Sequence, residues 1–419
     1  MPTRSSRNGS SPRLSADRMS IPRRDFVAAV TSLTGYAAVA PAPVDLAVDP
    51  LGVRGDFPIL ANGRTYLNSA YITPSPRSVL AAGAAFIEAK GTRPMTVAEL
   101  LAKANEVRGQ FAALINATAD EVGLVFATSE GENIMANTVP MQPGDNVVVD
   151  DLHYEGALVA HRELERRRGI ELRIVAHRDG LVTPEDFARR VDRRTRLVSV
   201  SYVSSVNGLR HDVRALADLA HAHGALLHVD AIQAVGMFPI DVRADDVDSL
   251  CAGTYKFLLG GFGVAPFYLR RSLLERLDPD RFGVFGIESQ TADHRFQIRK
   301  NARRYDYATL PFGEVHQLGA GLTYLQRVGV ARIEQHGQAL TRRLEAGLLA
   351  QGHRLFTPAG NRSSILCFYT RQSAAEVRSV FDRARLDATI REGHVRLSLA
   401  LFNTTDDVDR ALEVTRRLV

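Results

Sequence analysis

The sequence contains little cysteine, no tryptophan and almost no lysine. Its 419 residues include only two cysteines, Cys251 and Cys367. They form no C-x-x-C or Cys/His pattern, which argues against a disulfide scaffold or a structural zinc site. No run reaches the roughly 18 apolar residues of a membrane-spanning helix. With 45% hydrophobic residues, however, the chain can build a large core.

The basic residues are nearly all arginine. Of the 52 lysines and arginines only four are lysines, at positions 90, 103, 256 and 300. A lysine that is kept in such a sequence is a candidate for chemistry that arginine cannot provide. The net charge of +5 does not indicate a nucleic-acid partner, because residues 1–24 carry six arginines and one aspartate. The remaining chain is therefore neutral overall.

The first 45 residues have the order of an export leader. Arg23, Arg24 and Phe26 precede a mildly apolar stretch that ends in Ala38-Val39-Ala40. This order of positive, apolar and small residues resembles a twin-arginine (Tat) signal. The resemblance implies a periplasmic or otherwise exported protein without stable membrane insertion. The alternative is an arginine-rich disordered leader on a cytoplasmic protein.

The body of the chain alternates helical and strand patterns. This alternation predicts an α/β fold with a mostly parallel, seven-stranded sheet covered by helices, and a smaller C-terminal α+β domain. The predicted strands are 122–126, 147–150, 172–175, 197–203, 225–229, 249–252 and 264–269, and the predicted helices are 77–90, 97–115, 156–168, 184–191, 212–223, 314–351 and 405–418. We predict a leader at 1–45, an N-terminal segment at 46–75 that packs on the small domain, a large domain at 76–314 and a small domain at 315–419.

Two residues near the end of this sheet pattern indicate carbonyl chemistry. Asp230 ends an apolar strand, where a carboxylate projects from the edge at which parallel sheets bind ligands. Lys256 follows the next strand and precedes Phe257-Leu258-Leu259, surroundings that lower the pKa of an ammonium group. A neutral lysine can attack a carbonyl and form a Schiff base.

The motifs V-D-x-x-Q-x-x-G and D-x-x-x-x-G-x-Y-K-x-L-x-G-x-x-G contain these two residues. They resemble the core of the class V, fold-type I enzymes that depend on pyridoxal 5′-phosphate (PLP), such as cysteine desulfurases and isopenicillin N epimerase-like proteins. The likeness begins near Tyr66 and runs to the end of the chain. It implies PLP as the cofactor, Lys256 as its Schiff-base lysine, Asp230 as the partner of its ring nitrogen and Gln233 as a contact of its phenolic oxygen.

The same resemblance implies further cofactor residues. The family places phosphate at the helix that begins near Thr128 and Ser129, where backbone N–H groups favour an anion. Further residues are implied around the ring and the phosphate: Tyr154 stacks on the ring, with His153 as the alternative, Ser205 or Asn207 lies near the ring oxygen, and Tyr255 bonds to phosphate.

The last implied residues concern a partner subunit and the substrate. Thr309 would reach the phosphate of a neighbouring subunit, which implies a homodimer with shared active sites. Arg396 would clamp the α-carboxylate of an amino-acid-like substrate, since its planar fork suits a carboxylate. Asn68 and Tyr71 would line the substrate site.

The motifs do not specify which reaction the enzyme catalyses. We expect an aminotransferase or an epimerase-like enzyme acting at Cα, with Lys256 as the proton shuttle. The alternative is a β-elimination of the C–S lyase type. A cysteine desulfurase is disfavoured, because residues 390–396 contain no cysteine before the carboxylate-binding arginine.

Classes without PLP fit less well. Gly260–Gly263 lacks the spacing of a nicotinamide-binding loop. A zinc hydrolase would need His221, His223 and His228, but the first two have the pattern of helix-end residues, so we expect no metal. An exported binding protein without catalysis remains the other alternative.

Overall fold

The computed structural model describes residues 48–419, so the leader predicted at 1–45 lies outside the described residues. The strands are β1 (Thr65–Tyr66), β2 (Val122–Val125), β3 (Asn146–Asp150), β4 (Glu171–Val175), β5 (Thr195–Ser201), β6 (Leu226–Asp230), β7 (Ser249–Cys251), β8 (Ala265–Leu269), β9 (Ile287–Gln290), β10 (Phe296–Ile298), β11 (Ile365–Tyr369), β12 (Leu386–Asp387), β13 (Thr389–Arg391) and β14 (His394–Ser398). The α-helices are α1 (Arg77–Thr92), α2 (Val97–Leu114), α3 (Thr128–Thr138), α4 (Glu155–Arg168), α5 (Pro184–Ala188), α6 (Val213–Ala222), α7 (Arg271–Leu274), α8 (Phe312–Val328), α9 (Val330–Ala350), α10 (Ala374–Arg383) and α11 (Thr405–Thr415).

Seven strands form the central sheet, as predicted. Their order is β2-β8-β7-β6-β5-β3-β4, and only β8 runs antiparallel to its neighbours. Most residues of these strands are buried, which explains why they read as short apolar runs without alternation. The fold is therefore the fold-type I α/β architecture that the motifs implied.

Helices cover the sheet and begin where the sequence places capping residues. Helix α2 starts after Thr96, whose side chain accepts a hydrogen bond from the Glu99 backbone N–H, while the Glu99 carboxylate accepts one from the Thr96 N–H. This is the capping box that the Thr-x-x-Glu spacing predicts. Helix α6 begins after Asp212, whose carboxylate caps the helix by accepting from the Ala215 N–H.

The helix predicted over 314–351 is wrong as a single element. The structure has two helices there, α8 and α9, which meet at Gly329. This glycine has φ +88°, a conformation that residues with a side chain rarely adopt. The apolar periodicity continues through the break, so the pattern alone could not show it.

The C-terminal part contains a three-stranded antiparallel sheet in the order β11-β14-β13. The N-terminal segment joins it: β1 pairs in parallel with β12, and Arg54 forms an ion pair with Asp407. The domain boundaries given above stay predictions. No helix among residues 48–419 is both long and apolar enough to cross a membrane.

Candidate active site

The carboxyl edge of the central sheet gathers polar side chains on one face. Ser201, Asp230 and Cys251 are direct partners on the neighbouring strands β5, β6 and β7. Lys256 lies in the loop that follows β7. A parallel sheet thus brings Asp230 and Lys256 to one edge although 26 positions separate them.

Burial shapes the electrostatics of this pair. It lowers the pKa of the Lys256 ammonium to about 8, although the nearby Asp230 carboxylate opposes the shift. It raises the pKa of Asp230 to about 6, although the Ile232 N–H and Lys256 oppose that shift. At neutral pH Asp230 is therefore mostly an anion, and Lys256 has a larger neutral fraction than an exposed lysine.

Gln233 connects this edge to the N-terminal segment. Its Nε2 donates a hydrogen bond of 2.8 Å to the Ala70 carbonyl, whereas its Oε1 is buried and has no hydrogen-bond partner among the described residues. Thr73 follows in the same segment and donates its N–H to the carbonyl of Tyr255, the neighbour of Lys256. The segment therefore lies against both sides of the lysine loop.

The start of helix α3 forms an anion-binding corner beside Lys256. Thr128 is the first helical residue, and its hydroxyl accepts a hydrogen bond of 2.8 Å from the Gly253 N–H. Ser129 is half-buried and follows it in the first turn. The first N–H groups of a helix have no partner within it, and their dipoles attract negative charge.

Arg396 lies on the other side of the site, in β14, and is 7% exposed. Burial lowers the pKa of its guanidinium to about 10. Its Nη1 donates to the Ser205 carbonyl and its Nη2 to the Thr389 hydroxyl at 2.8 Å, while its buried Nε has no partner within residues 48–419. A cavity of about 190 Å³ opens beside it and is lined by Cys367, Arg391, His394 and others.

Comparison with known proteins assigns this arrangement to a family. The family described as "Aminotransferase class-V" matches residues 65–411. The chain belongs to the class V aminotransferase family. A curated class V relative, the cysteine desulfurase of Klebsiella pneumoniae subsp. pneumoniae, is 31% identical over 398 residues, which cover 87% of this chain and 97% of the relative.

Solved structures show the same fold at lower identity. The cysteine desulfurase from Thermococcus onnurineus NA1 aligns with a TM-score of 0.81 and 24% identity, over 91% of this chain and 99% of that one. A cystine C–S lyase in complex with its reaction product cysteine persulfide aligns with a TM-score of 0.81 and 19% identity, over 86% and 99%. At these identities the likeness shows the fold alone.

The cofactor of this class V enzyme is pyridoxal 5′-phosphate, and the residues present fit it. Among the described residues Gln233 Oε1 has no hydrogen-bond partner, and the Asp230 carboxylate is buried. Buried polar groups normally have partners, so these two groups are suited to the polar atoms of a bound molecule. Lys256 suits the aldehyde of the cofactor, Asp230 and Gln233 suit the polar atoms of its ring, and the start of helix α3 suits its phosphate.

The structure does not bring every predicted site residue together. Asn207 is buried, and its amide is used by the backbone, donating to the Gly180 and Phe356 carbonyls and accepting from Leu209. It is therefore not available to the cofactor, and Ser205 contributes its carbonyl to Arg396. Thr309 is exposed, as a residue reaching another subunit would be.

The aromatic residues predicted around the cofactor and the substrate differ in their exposure and contacts. The Tyr255 ring stacks on Phe262 at 4.3 Å between centroids. Tyr154 is 50% exposed and Tyr71 61% exposed, whereas the His153 ring is buried and contacts the Ser201 hydroxyl at 3.0 Å. The roles of Tyr154, Tyr255 and Tyr71 stay predictions.

Two features escaped the sequence analysis. Thr389, which bonds both Arg396 and Asn68, could have been found from the Glu392-Gly393 turn, because a two-residue hairpin loop pairs residue 389 with 396. Glu132, buried among three histidines under the sheet edge, had no comparable signal, because its partners come from four separate elements.

Proposed function

We propose that this enzyme cleaves the bond between Cβ and sulfur in a small sulfur-containing α-amino acid, as a β-elimination of the C–S lyase type. The relatives named cysteine desulfurase, at about 30% identity over most of the chain, support a cysteine-like substrate. One observation supports elimination over desulfuration: no thiol of the chain is placed to accept sulfur.

Both cysteines of the sequence are unsuited to take up sulfur. Cys251 and Cys367 are 0% and 2% exposed. Burial raises the pKa of the Cys251 thiol far above its usual range and that of Cys367 to about 12. Since the thiolate is the nucleophile, these raised pKa values keep both thiols in the protonated, weakly nucleophilic form at neutral pH, although Cys367 borders the cavity beside Arg396. The sulfur therefore leaves as part of a small molecule.

The residues of the chain have separate tasks in this reaction. Arg396 binds the α-carboxylate, and the neutral amine of Lys256 takes the proton from Cα. Asp230 holds a proton on the ring nitrogen of the cofactor. The bound cofactor supplies an electron-withdrawing ring that stabilises negative charge at Cα. The proton held by Lys256 Nζ is then available to the leaving sulfur.

Product analysis tests the proposal. β-Elimination converts the substrate and water into pyruvate, ammonium and a thiol or persulfide, whereas desulfuration yields alanine. We expect pyruvate and ammonium in equal amounts from cystine or an S-substituted cysteine, and none from the Lys256→Ala variant. Alanine without pyruvate would overturn the proposal. Transamination and epimerisation begin with the same removal of the Cα proton. Transamination would appear as pyridoxamine phosphate, and epimerisation as deuterium at Cα when the reaction is run in deuterated water.

We further propose a homodimer exported through the Tat pathway. The exposed Thr309 supports a shared site, and the order of residues 23–40 supports export. Sedimentation of the purified protein at twice the 45.9 kDa chain mass is the expected result for the dimer. A reporter fused to residues 1–45 should leave the cytoplasm only when the Tat translocase is present.

A further inference from the structure

Only some of the N–H donors of the Arg396 guanidinium form hydrogen bonds with the described residues. It has five N–H donors, of which one goes to the Ser205 carbonyl and one to the Thr389 hydroxyl. Within residues 48–419 no carboxylate lies within 4 Å of it, although it is nearly buried. The guanidinium therefore has donors available for a substrate carboxylate. Its orientation depends on its contacts with Ser205 and Thr389.

The Thr389 contact has a fixed direction. The hydroxyl has one proton, and it donates this proton to Asn68 Oδ1 at 2.7 Å. Its lone pairs are then left to accept from Arg396 Nη2 at 2.8 Å. Thr389 and Arg396 are register partners on β13 and β14, so their side chains lie on the same face of the sheet.

Asn68 is itself held from two sides. It forms a parallel bridge with Ser398, whose hydroxyl also accepts a hydrogen bond of 2.8 Å from the Ala70 N–H. The Ala70 carbonyl accepts from Gln233, at the cofactor edge of the central sheet. The backbone around Asn68 is thus held against both sheets, and the amide oxygen of Asn68 accepts from Thr389.

We propose that Thr389, braced by Asn68, is a positioning residue that orients the Arg396 fork toward the α-carboxylate of the substrate. The inference rests on the proposed function, in which Arg396 binds that carboxylate. Asn68 Oδ1 takes the proton of the Thr389 hydroxyl, which leaves the lone pairs of that hydroxyl to accept from Arg396.

Removal of the Thr389 hydroxyl should weaken carboxylate binding. Thr389→Val keeps the shape but leaves one buried donor of Arg396 without a partner, which frees the fork to turn. We expect the Kd for a carboxylate to rise about tenfold. Thr389→Ser restores the hydroxyl and should recover most of the affinity.

The test uses the PLP-loaded enzyme and two simple probes. Propionate carries the carboxylate without the amine, and propylamine carries the amine without the carboxylate. We expect the Kd for propionate, from calorimetry, to rise in Thr389→Val and to recover in Thr389→Ser, while the binding of propylamine stays unchanged. Thr341→Val is the control, because Thr341 is a buried threonine that donates to the Gly337 carbonyl within helix α9; it should not change propionate binding.

The outcomes separate the inference from the proposed function. If Arg396→Gln binds propionate as tightly as the wild type, the carboxylate site itself is wrong. If Arg396→Gln loses propionate but Thr389→Val does not, the positioning role alone is overturned. Equal losses of propionate and propylamine affinity in Thr389→Val and Thr389→Ser would also overturn it, since that result means general damage to the site.

Discussion

Glu132 offers the sharpest test of the electrostatics beneath the active site. Its carboxylate is buried in helix α3 and accepts hydrogen bonds of 2.6 Å from both His161 and the Ser199 hydroxyl. His228 Nε2 lies 3.1 Å from the other oxygen of the same carboxylate. Replacing Glu132 by alanine would leave the buried donors of His161 and Ser199 without an acceptor.

The expected loss of folding stability in Glu132→Ala is large for a single substitution. An unsatisfied buried donor costs about 1–3 kcal/mol, so two of them cost about 2–6 kcal/mol. We expect Glu132→Ala to lower the free energy of unfolding by about 2–6 kcal/mol. Glu132→Gln keeps the shape and one acceptor, so it should lose about half as much.

The pH dependence of this loss has a defined sign. Burial raises the pKa of Glu132, but His228 and the hydrogen bond from His161 outweigh burial and hold it well below 4.5. A carboxylate with a lowered pKa in the folded state stabilises the protein above its unfolded pKa, and this contribution is lost as the pH falls. The difference between wild type and Glu132→Gln should therefore be full near pH 7 and shrink below about pH 4.5.

Urea unfolding followed by circular dichroism measures both effects. Glu163→Gln is the control, because Glu163 lies on the exposed face of helix α4 and pairs with Arg166 and Arg167 in solvent. Its unfolding midpoint should equal that of the wild type. If Glu132→Ala unfolds at the wild-type urea concentration at pH 7, the buried carboxylate does not hold this cluster together and the reasoning fails.

Three further results should follow. The rate at which the cofactor-free protein combines with PLP should rise with pH through about 8, because burial lowers the pKa of Lys256 to that value and only the neutral amine reacts; a midpoint near 10.5 in stopped-flow absorbance would contradict this. The Cys251→Ala and Cys367→Ala variants should keep pyruvate production, and its loss in both would indicate a thiol in the reaction. Gly236→Ala should weaken PLP retention on gel filtration, because Gly236 has φ +96° and a Cβ there would lie 2.3 Å from the Phe257 carbonyl next to Lys256; unchanged retention would mean that this loop can shift freely.

The sequence predicted the central sheet and its reactive pair for a physical reason. Strands buried on both faces must be short apolar runs, and such runs are visible in the sequence without knowledge of their neighbours. Asp230 interrupts this pattern at the end of β6 and Lys256 in the loop after β7, where apolar packing gives no reason for a charge. The break at Gly329 was missed, because apolar residues continue on both sides of it and a glycine within a helical pattern is often tolerated.

The partners of the site residues could not be predicted, because they depend on distant segments. Asn68 and Thr389 are 321 positions apart, yet they share one hydrogen bond. Asn207 has the residue type for a cofactor contact, but its amide is used by the Gly180 and Phe356 carbonyls. Whether a polar side chain serves a ligand or the fold is decided by such neighbours, and the local sequence does not contain them.

The scarcity of lysine can now be weighed against the structure. Lys90 and Lys300 are exposed, and Lys103 forms an ion pair with Glu106 at 2.7 Å. Lys256 alone among the four is buried, and it has a lowered pKa. An arginine at position 256 would keep its proton at any pH at which proteins fold, because the pKa of a guanidinium exceeds 12. It could neither attack an aldehyde nor take a proton from Cα, so the proposed reaction needs a lysine at this position in a chain that uses arginine for nearly every other cation.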